Sequence, residues 1–180
     1  MDMPIGEWMR GRGGRRLVDA WEGSPRARLG STVTGFPNLF LLLWPNTGLG
    51  HNSMVYMIEP QIEHVLGALR EMRRSGAAVT EVRPEAQAAY NRDVDARMEG
   101  TDWNTGCPSW YIDATGRNAT LWPDWIWRFR RRARRFDAAE YSLRPAPAER
   151  VGGRRMSARR GALDDDSPLA AALGARLTAG

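Results

Sequence analysis

Hydrophobic positions recur at helical spacing in three stretches of the chain. Between residues 53 and 75 they are separated by steps of three and four, which predicts one helix with a single apolar face: Met54, Ile58, Ile62, Val65, Leu69 and Met72. Pro84 can open a second helix, because proline is tolerated in the first helical turn. The apolar face predicted for it contains Ala86, Tyr90, Val94 and Met98. A third helix is predicted from Pro123, with Trp125, Phe129, Ala133 and Phe136 sharing a face.

The remaining apolar runs are short and predict strands. Residues 39–43 have no polar alternation, which is typical of a strand buried on both faces, as in a parallel sheet. Residues 77–82 and 109–113 predict two further strands, with a turn at 114–118. Near the N-terminus, Gly13 and Gly14 predict a tight turn and residues 17–21 a short helical turn. This mixture of helices and strands predicts an α/β protein.

The segment between the apolar run at 39–43 and the first helix is a candidate binding loop. In open α/β sheets, ligands bind just beyond the carboxyl ends of the strands. A helix that begins there offers unpaired N–H groups and the positive end of its dipole, which suit a polar or anionic group. The structural alternative is a strand-to-helix turn built from turn-forming residues. The loop contains Pro45, Asn46, Thr47, Gly48 and Leu49.

Composition limits the remaining classes. The 180 residues favour one domain, and a single Cys excludes an internal disulfide. We predict a cytoplasmic protein without a membrane segment, because residues 1–30 lack an apolar leader and the longest apolar run is far too short to span a bilayer. The apolar pattern fades after Leu143. We therefore predict a folded domain over residues 1–145 and a disordered tail over 146–180.

All 26 basic residues are Arg, and several are concentrated between residues 128 and 135. A run of this kind suits nucleic-acid binding on charge grounds alone. However, Phe129 and Phe136 interrupt it at helical spacing, which favours the solvated face of an amphipathic helix and no nucleic-acid partner. Cys107 has no adjacent base, which favours a structural role, and His51 suits a local hydrogen bond at a helix start.

Several separated motifs, in order, resemble the C-terminal portion of flavin-dependent monooxygenases of the Baeyer–Villiger and flavin-containing type. The resemblance covers roughly residues 10 to 143, and its segments include Gly11-Arg12-Gly13-Gly14-Arg15, Leu29-Gly30-Ser31-Thr32-Val33, Gly35-Phe36-Pro37-Asn38-Leu39-Phe40, Pro45-Asn46-Thr47-Gly48-Leu49-Gly50-His51-Asn52-Ser53, Trp103-Asn104-Thr105-Gly106, Gly116-Arg117-Asn118, Thr120-Leu121-Trp122-Pro123 and Trp127-Arg128-Phe129. It implies the C-terminal part of a flavoprotein with two dinucleotide-binding domains, here an incomplete Rossmann-like FAD domain with helical additions.

The resemblance also implies cofactors and site residues. The cofactors are FAD and NADP, and the substrate is a small organic molecule, a ketone or a soft heteroatom compound, oxidised with O₂. The loop from Pro45 to Leu49 corresponds to the family segment that faces the flavin. Trp103 corresponds to a family tryptophan beside the nicotinamide and the substrate. Trp44 stands where the family usually has Gly, so its side chain either fills the flavin pocket or turns away from it.

The two G-x-G-x-x-G motifs that hold FAD and NADPH in this family have no counterpart in this sequence. We therefore expect the isolated chain to be inactive as an enzyme, with a separate chain as one source of the N-terminal part. The alternative is a non-catalytic remnant or an interaction module.

Overall fold

A computed structural model describes residues 4–50, 53–104 and 111–146. The described α-helices are α1 (Pro4–Trp8), α2 (Leu17–Trp21), α3 (Val55–Ser75), α4 (Pro84–Met98) and α5 (Ile126–Ala133). Two strands, β1 (Val79–Val82) and β2 (Tyr141–Arg144), form an antiparallel pair with Val79 opposite Arg144 and Val82 opposite Tyr141. In this part of the chain no helix is long and apolar enough to cross a membrane. The tail predicted for 146–180 lies, from residue 147 on, outside the described residues and stays a prediction.

The helix predicted after Ser53 is present, but its predicted inner face is wrong. α3 buries Met57, Pro60, Gln61, His64 and Ala68, whereas Ile62 and Leu69 are 44% and 48% exposed. Apolar periodicity identified the helix correctly because the spacing is helical. It assigned the wrong side to the core because two polar residues, Gln61 and His64, are buried with hydrogen-bond partners.

The strand predicted at 39–43 is also wrong. These residues form no ladder with any described segment, and Leu42 and Leu43 are 46% and 36% exposed. A β-strand exists only when a neighbouring strand takes its backbone hydrogen bonds. The described part of the chain provides a single strand pair, β1 with β2, and residues 39–43 form a ladder with neither strand, although the N–H of Asn38, just before them, donates to the carbonyl of Thr80 in β1 at 2.9 Å.

The second and third helices largely match the pattern. α4 buries Tyr90, Val94 and Met98, as predicted. In α5, Phe129 and Ala133 are fully buried, but Trp125 is 68% exposed and precedes the helix. The hydrophobic repeat therefore predicted the helix and its central contacts, but not its first residue.

The shorter predictions have mixed outcomes. The turn at Gly13 and Gly14 is present and is closed by a bridge between Arg10 and Arg16. The helix at 17–21 is α2, and the strand predicted at 77–82 is β1. The strand predicted at 109–113 is only partly described, and its described residues form one isolated bridge, between Ile112 and Asn118. The strand β2 was not predicted.

Two buried clusters hold the described chain together. The larger joins α3, α4 and α5 through Leu29, Met57, Tyr90, Val94, Trp122, Phe129 and Ala133. The second gathers the N-terminal segments around Leu17, Trp21, Ala27, Val33, Phe36 and Leu41. Trp44 packs edge-on against Trp21, with ring centroids 5.1 Å apart. Trp44 thus turns toward this second cluster.

A buried polar network links α3 to β2. His64 is fully buried, and its Nε2 lies 2.7 Å from the hydroxyl of Tyr141. The same hydroxyl lies 3.0 Å from Oγ1 of Thr32. Burial lowers the pKa of His64 to about 4, and the positive charge of Arg28 adds to this effect. His64 is therefore neutral in the folded chain at pH 7.

We predict that His64 makes stability depend on pH between 7 and 5. The folded pKa lies below the ordinary value, so the unfolded chain binds the proton more readily. The stabilisation is complete above pH 6.5 and is lost as the pH falls toward 4. Urea unfolding should give a free energy about 2 kcal/mol lower at pH 5 than at pH 7. His64→Gln should remove most of this slope, and an unchanged slope in the variant would contradict the assignment.

Candidate functional site

The candidate loop is held against residues 118–121 by backbone hydrogen bonds. The N–H of Asn46 donates to the carbonyl of Ala119 at 2.8 Å, and the N–H of Gly48 donates to that of Thr120 at 2.8 Å. The N–H of Trp122 returns a bond of 2.9 Å to the carbonyl of Gly48. All residues from 45 to 48 are buried. Because two of its donors are used within the chain, this loop offers them to no ligand.

The side chain of Asn46 fixes the loop from the inside. It is 2% exposed, and its Nδ2 donates to the carbonyls of Asn118 at 2.8 Å and Leu121 at 3.1 Å. Its Oδ1 accepts a 2.6 Å bond from Arg117, whose guanidinium also pairs with Asp95 at 2.6 Å. Burial lowers the pKa of Arg117, and Asp95 opposes that effect. Asn46 also has a φ of 52°, a left-handed conformation that Asn tolerates better than most residues.

Gly30 approaches the same loop closely from the other side. A Cβ at this position would lie 2.4 Å from Cγ2 of Thr47 and 2.7 Å from the carbonyl oxygen of Pro45. The Gly30 backbone has a φ of 59°, so both its conformation and the available space require glycine. Gly30 therefore fixes how closely the loop packs on the chain.

Gln61 on α3 completes this arrangement. Its Nε2 donates to the carbonyls of Leu29 and Gly30, both at 3.1 Å, and to Oγ of Ser31 at 3.0 Å. Its Oε1 accepts a 3.0 Å bond from the N–H of Leu43. One fully buried side chain thus ties the Gly30 turn and the 39–43 segment to α3.

Beyond Gly48 the loop opens into a cleft of about 520 Å³. Its lining residues come from the end of the loop, from the turn that follows α4, and from the segment that leads into the start of α5. They are Leu49, Gly50, Trp103, Leu121, Trp122, Pro123, Asp124, Trp125 and Ile126. The Trp103 ring lies directly over Gly50, where an added Cβ would be 2.7 Å from the ring. Trp103 also contacts Tyr111 edge-on at 6.1 Å. Aromatic walls of this kind suit a planar, largely apolar ring.

The six predicted site residues therefore separate into two groups. Leu49 and Trp103, 54 positions apart by their numbers, line one cleft. Pro45, Asn46, Thr47 and Gly48 are buried behind it within the chain's own contacts. His51 and Cys107 lie outside the described residues. Sequence reasoning did not single out Gly30, Gln61 or Arg117 as parts of the site. Gly30 and Arg117 each had a sequence signal, because both belong to segments that carry the resemblance, whereas Gln61 had none.

The arginine-rich stretch is largely neutralised by acidic partners. Arg130 and Arg134 pair with Glu59 and Glu63 of α3 at 2.9 and 2.7 Å. Arg132 pairs with Asp93 of α4 at 2.7 Å, and Arg128 with Asp124 at 3.1 Å. These contacts agree with the solvated face of an amphipathic helix. They leave fewer free cations for a phosphate backbone, which is the main source of non-specific nucleic-acid affinity.

Comparison with known proteins identifies relatives of the chain. It is 50% identical over 139 residues to a Baeyer–Villiger monooxygenase of Pseudomonas aeruginosa, covering 76% of this chain and 26% of the relative. It is 47% identical over 164 residues to a Baeyer–Villiger monooxygenase of Streptomyces coelicolor, covering 89% of this chain and 31% of the relative. No protein-family model matches.

Solved structures agree with these relatives. An oxidised steroid monooxygenase bound to NADP superimposes with a TM-score of 0.64 at 28% identity, covering 75% of this chain and 26% of that one. A structure of OTEMO in complex with FAD and NADP gives 0.61 at 26% identity, covering 74% and 25%. The fold and these relatives show that the chain belongs to the flavin-dependent monooxygenases. Within that class its similarity is to the Baeyer–Villiger type, and the chain spans about a quarter to a third of the length of the curated relatives it matches.

Proposed function

We propose that this chain forms the C-terminal part of an FAD- and NADPH-dependent monooxygenase that oxidises ketones or soft heteroatoms with O₂. The observation that carries the proposal is the cleft in which Leu49 and Trp103 meet, in a chain about half identical to Baeyer–Villiger monooxygenases. In the complete enzyme, FAD reduced by NADPH supplies the activation of O₂. Substrate identity depends on segments outside this chain.

The residues present fit the ring part of such cofactors better than their phosphates. Trp103 and Trp122 offer flat apolar walls, and Leu49 lines the same cleft. These side chains position a ring and exclude water from it. The pyrophosphate groups need a glycine-rich turn at a strand–helix junction, and the sequence contains no G-x-G-x-x-G. The chain is thus suited to complete a cofactor site in which the glycine-rich turns that bind the pyrophosphate are supplied by another part of the enzyme.

A chimera tests this proposal directly. Residues 10–143 would replace the matching segment of the Pseudomonas aeruginosa relative, and the product would be compared with the isolated chain. We expect the isolated chain to be purified without flavin absorbance. The chimera should bind FAD and oxidise NADPH faster when a ketone is added. Stoichiometric flavin in the isolated chain would refute the claim of incompleteness. A folded chimera without flavin would instead support the alternative of a non-catalytic remnant or an interaction module.

Trp103 should contribute to dinucleotide binding in that chimera. Trp103→Ala removes an aromatic wall, and such contacts are worth about 0.5–1.5 kcal/mol. We therefore expect the dissociation constant for NADP to rise roughly two- to twelvefold, since 1.4 kcal/mol corresponds to a factor of ten. Titration followed by flavin absorbance would measure it. Trp127→Ala is the matched control, because Trp127 lies within residues 10–143, is 53% exposed and is not among the residues that line the cleft. Equal values for both variants would exclude a role for Trp103.

A further inference from the structure

Two of the six arginines between residues 128 and 135 differ from the other four. The other four pair with acidic side chains, whereas the guanidiniums of Arg131 and Arg135 have neither an ion pair nor a hydrogen bond among the described residues. Both residues are exposed. The dipole of α5 favours cations near its C-terminal end, but it does not distinguish these two arginines from their paired neighbours. Arg131 and Arg135 therefore remain available for an anion from outside the chain.

These two arginines line a cleft of about 440 Å³ between α4 and α5, which we call the arginine cleft. A volume of this size is within the range of small-molecule sites, roughly 300–1,000 Å³. Ala86 and Ala89 of α4 add a small apolar surface to its lining. The arginine cleft shares no lining residue with the cleft that contains Trp103. It is therefore a separate feature of the surface.

The inner wall of the arginine cleft contains donors that lack acceptors among the described residues. The side chain of Arg28 is 12% exposed, and its Nη2 pairs with Glu140, whereas its Nε and Nη1 have no hydrogen-bond partner. The Arg28 guanidinium lies over the ring of Tyr90, 5.2 Å from the ring centroid. Tyr90 is 7% exposed, and its hydroxyl has no partner either. Because buried donors are nearly always hydrogen-bonded, this wall is suited to a ligand that supplies acceptors.

The ionisation of the lining groups also favours an acceptor ligand. Burial raises the pKa of Tyr90, although the positive charge of Arg28 opposes this effect. The Tyr90 hydroxyl is therefore protonated at pH 7 and can donate. Each carboxylate in the cleft is already engaged: Asp93 by Arg97 and Arg132, Glu140 by Arg28, and Asp137 by the N–H of Ala139. The unpaired charges of the two arginines thus dominate the outer side of the cleft.

We propose that the arginine cleft binds the phosphate group of a small organic phosphate monoester. A guanidinium recognises phosphate through two parallel N–H···O bonds. A phosphate monoester has a charge of about −1.5 to −2 at pH 7, which matches two unpaired arginines, whereas one carboxylate would neutralise only one of them. The phosphate accepts hydrogen bonds from Arg131 and Arg135 at the outer side and from Arg28 and Tyr90 at the inner wall. The organic part lies against the small apolar surface of α4.

Phenyl phosphate is the probe for a test on the complete chain, with binding measured by isothermal titration calorimetry at constant ionic strength. Arg131→Gln and Arg135→Gln change exposed, unpaired side chains, so each variant should keep its melting temperature within about 2 °C. Each should raise the dissociation constant roughly five- to tenfold, because charge-assisted hydrogen bonds are lost. Arg73→Gln is the matched control, since Arg73 is exposed, has no partner among the described residues and does not line the cleft. It should change the constant by less than about twofold, because salt screens distant surface charges.

Tyr90→Phe tests whether the inner wall takes part in binding. The hydroxyl that it removes has no partner among the described residues, so the variant should be at least as stable as the original chain. The loss of one donor should raise the dissociation constant for phenyl phosphate roughly threefold or more. An unchanged constant would overturn the proposal, because only non-specific attraction to surface charge would remain.

Other outcomes would overturn the proposal in different ways. Inorganic phosphate that binds as tightly as phenyl phosphate would mean that the cleft takes the free ion and not an ester. A loss of affinity in Arg73→Gln equal to the losses in Arg131→Gln and Arg135→Gln would mean that net charge alone attracts the probe. No measurable binding at millimolar concentrations of phenyl phosphate would exclude the site altogether.

The proposal does not rest on the proposed function. The arginine cleft belongs to this chain alone, and its ligand is tested without flavin or NADPH. In the chimera, phenyl phosphate binding that Arg131→Gln weakens would support the cleft even if NADPH oxidation were absent. An active chimera that binds no phenyl phosphate would support the function and refute the cleft.

Discussion

Replacement of Gly30 by alanine is expected to lower the free energy of unfolding by about 3–5 kcal/mol, close to the whole stability of a marginal domain. Two costs combine. A non-glycine residue at a φ of 59° is strained, by about 1–3 kcal/mol. In addition, the new Cβ would meet Thr47 at 2.4 Å and the carbonyl oxygen of Pro45 at 2.7 Å, so the loop must move. Urea unfolding followed by circular dichroism would measure the loss.

Gly13 provides a matched control for this prediction. Its φ is 65°, so alanine there has a similar backbone strain, but nothing lies within 4 Å of the added Cβ. Gly13→Ala should therefore cost only about 1–2 kcal/mol. The difference between the two variants isolates the close approach of Gly30 to the loop. If both variants lost the same amount, the packing of the loop on Gly30 would be refuted.

Asn46→Ala should cost about 3–4 kcal/mol. The change removes two donated bonds and one accepted bond, and it leaves the carbonyls of Asn118 and Leu121 buried with fewer partners. It also removes a neutral partner from the partly buried Arg117 guanidinium. Groups left unsatisfied in the interior carry most of such a cost. Thermal and urea unfolding of the purified variant would measure it.

Asn38 is the corresponding control. It also has a positive φ, 58°, and its side chain donates to the carbonyl of Ala78 at 3.0 Å and accepts from the N–H of Thr80 at 2.9 Å. Asn38 is exposed, so water replaces these bonds when the side chain is removed. Asn38→Ala should lose about 1 kcal/mol. A loss for Asn46→Ala no larger than that for Asn38→Ala would mean that burial of the loop contributes nothing.

Apolar spacing predicted the helices because the period of a helix is a local property of the chain. It placed the inner face of α3 on the wrong side because two apolar faces compete there, and the choice depends on Gln61 and His64 finding partners at Gly30 and Tyr141. Such partners are distant in sequence and give no periodic signal. The strand at 39–43 was wrong for a related reason, since a strand depends on a neighbour that the local sequence does not contain.

The candidate site was predictable only in part. Leu49 and Trp103 were predicted because their motifs resemble those of the family, and the structure places them in the same cleft. The contacts that fix the loop could not be derived in the same way. Gly30 matters through the space around it, and Arg117 through a bond that spans 71 positions to Asn46. Both contacts arise from tertiary packing between residues that are distant in the sequence, and such contacts have no characteristic spacing that a single sequence would show.

The hydrogen bonds of Gln61 have a mechanical consequence. This side chain connects the 39–43 segment, through Leu43, to the Gly30 turn, which packs closely on Pro45 and Thr47. A displacement of residues 39–43 is therefore expected to reach the Gly30 turn and, through it, Pro45 and Thr47, which lie behind the aromatic cleft.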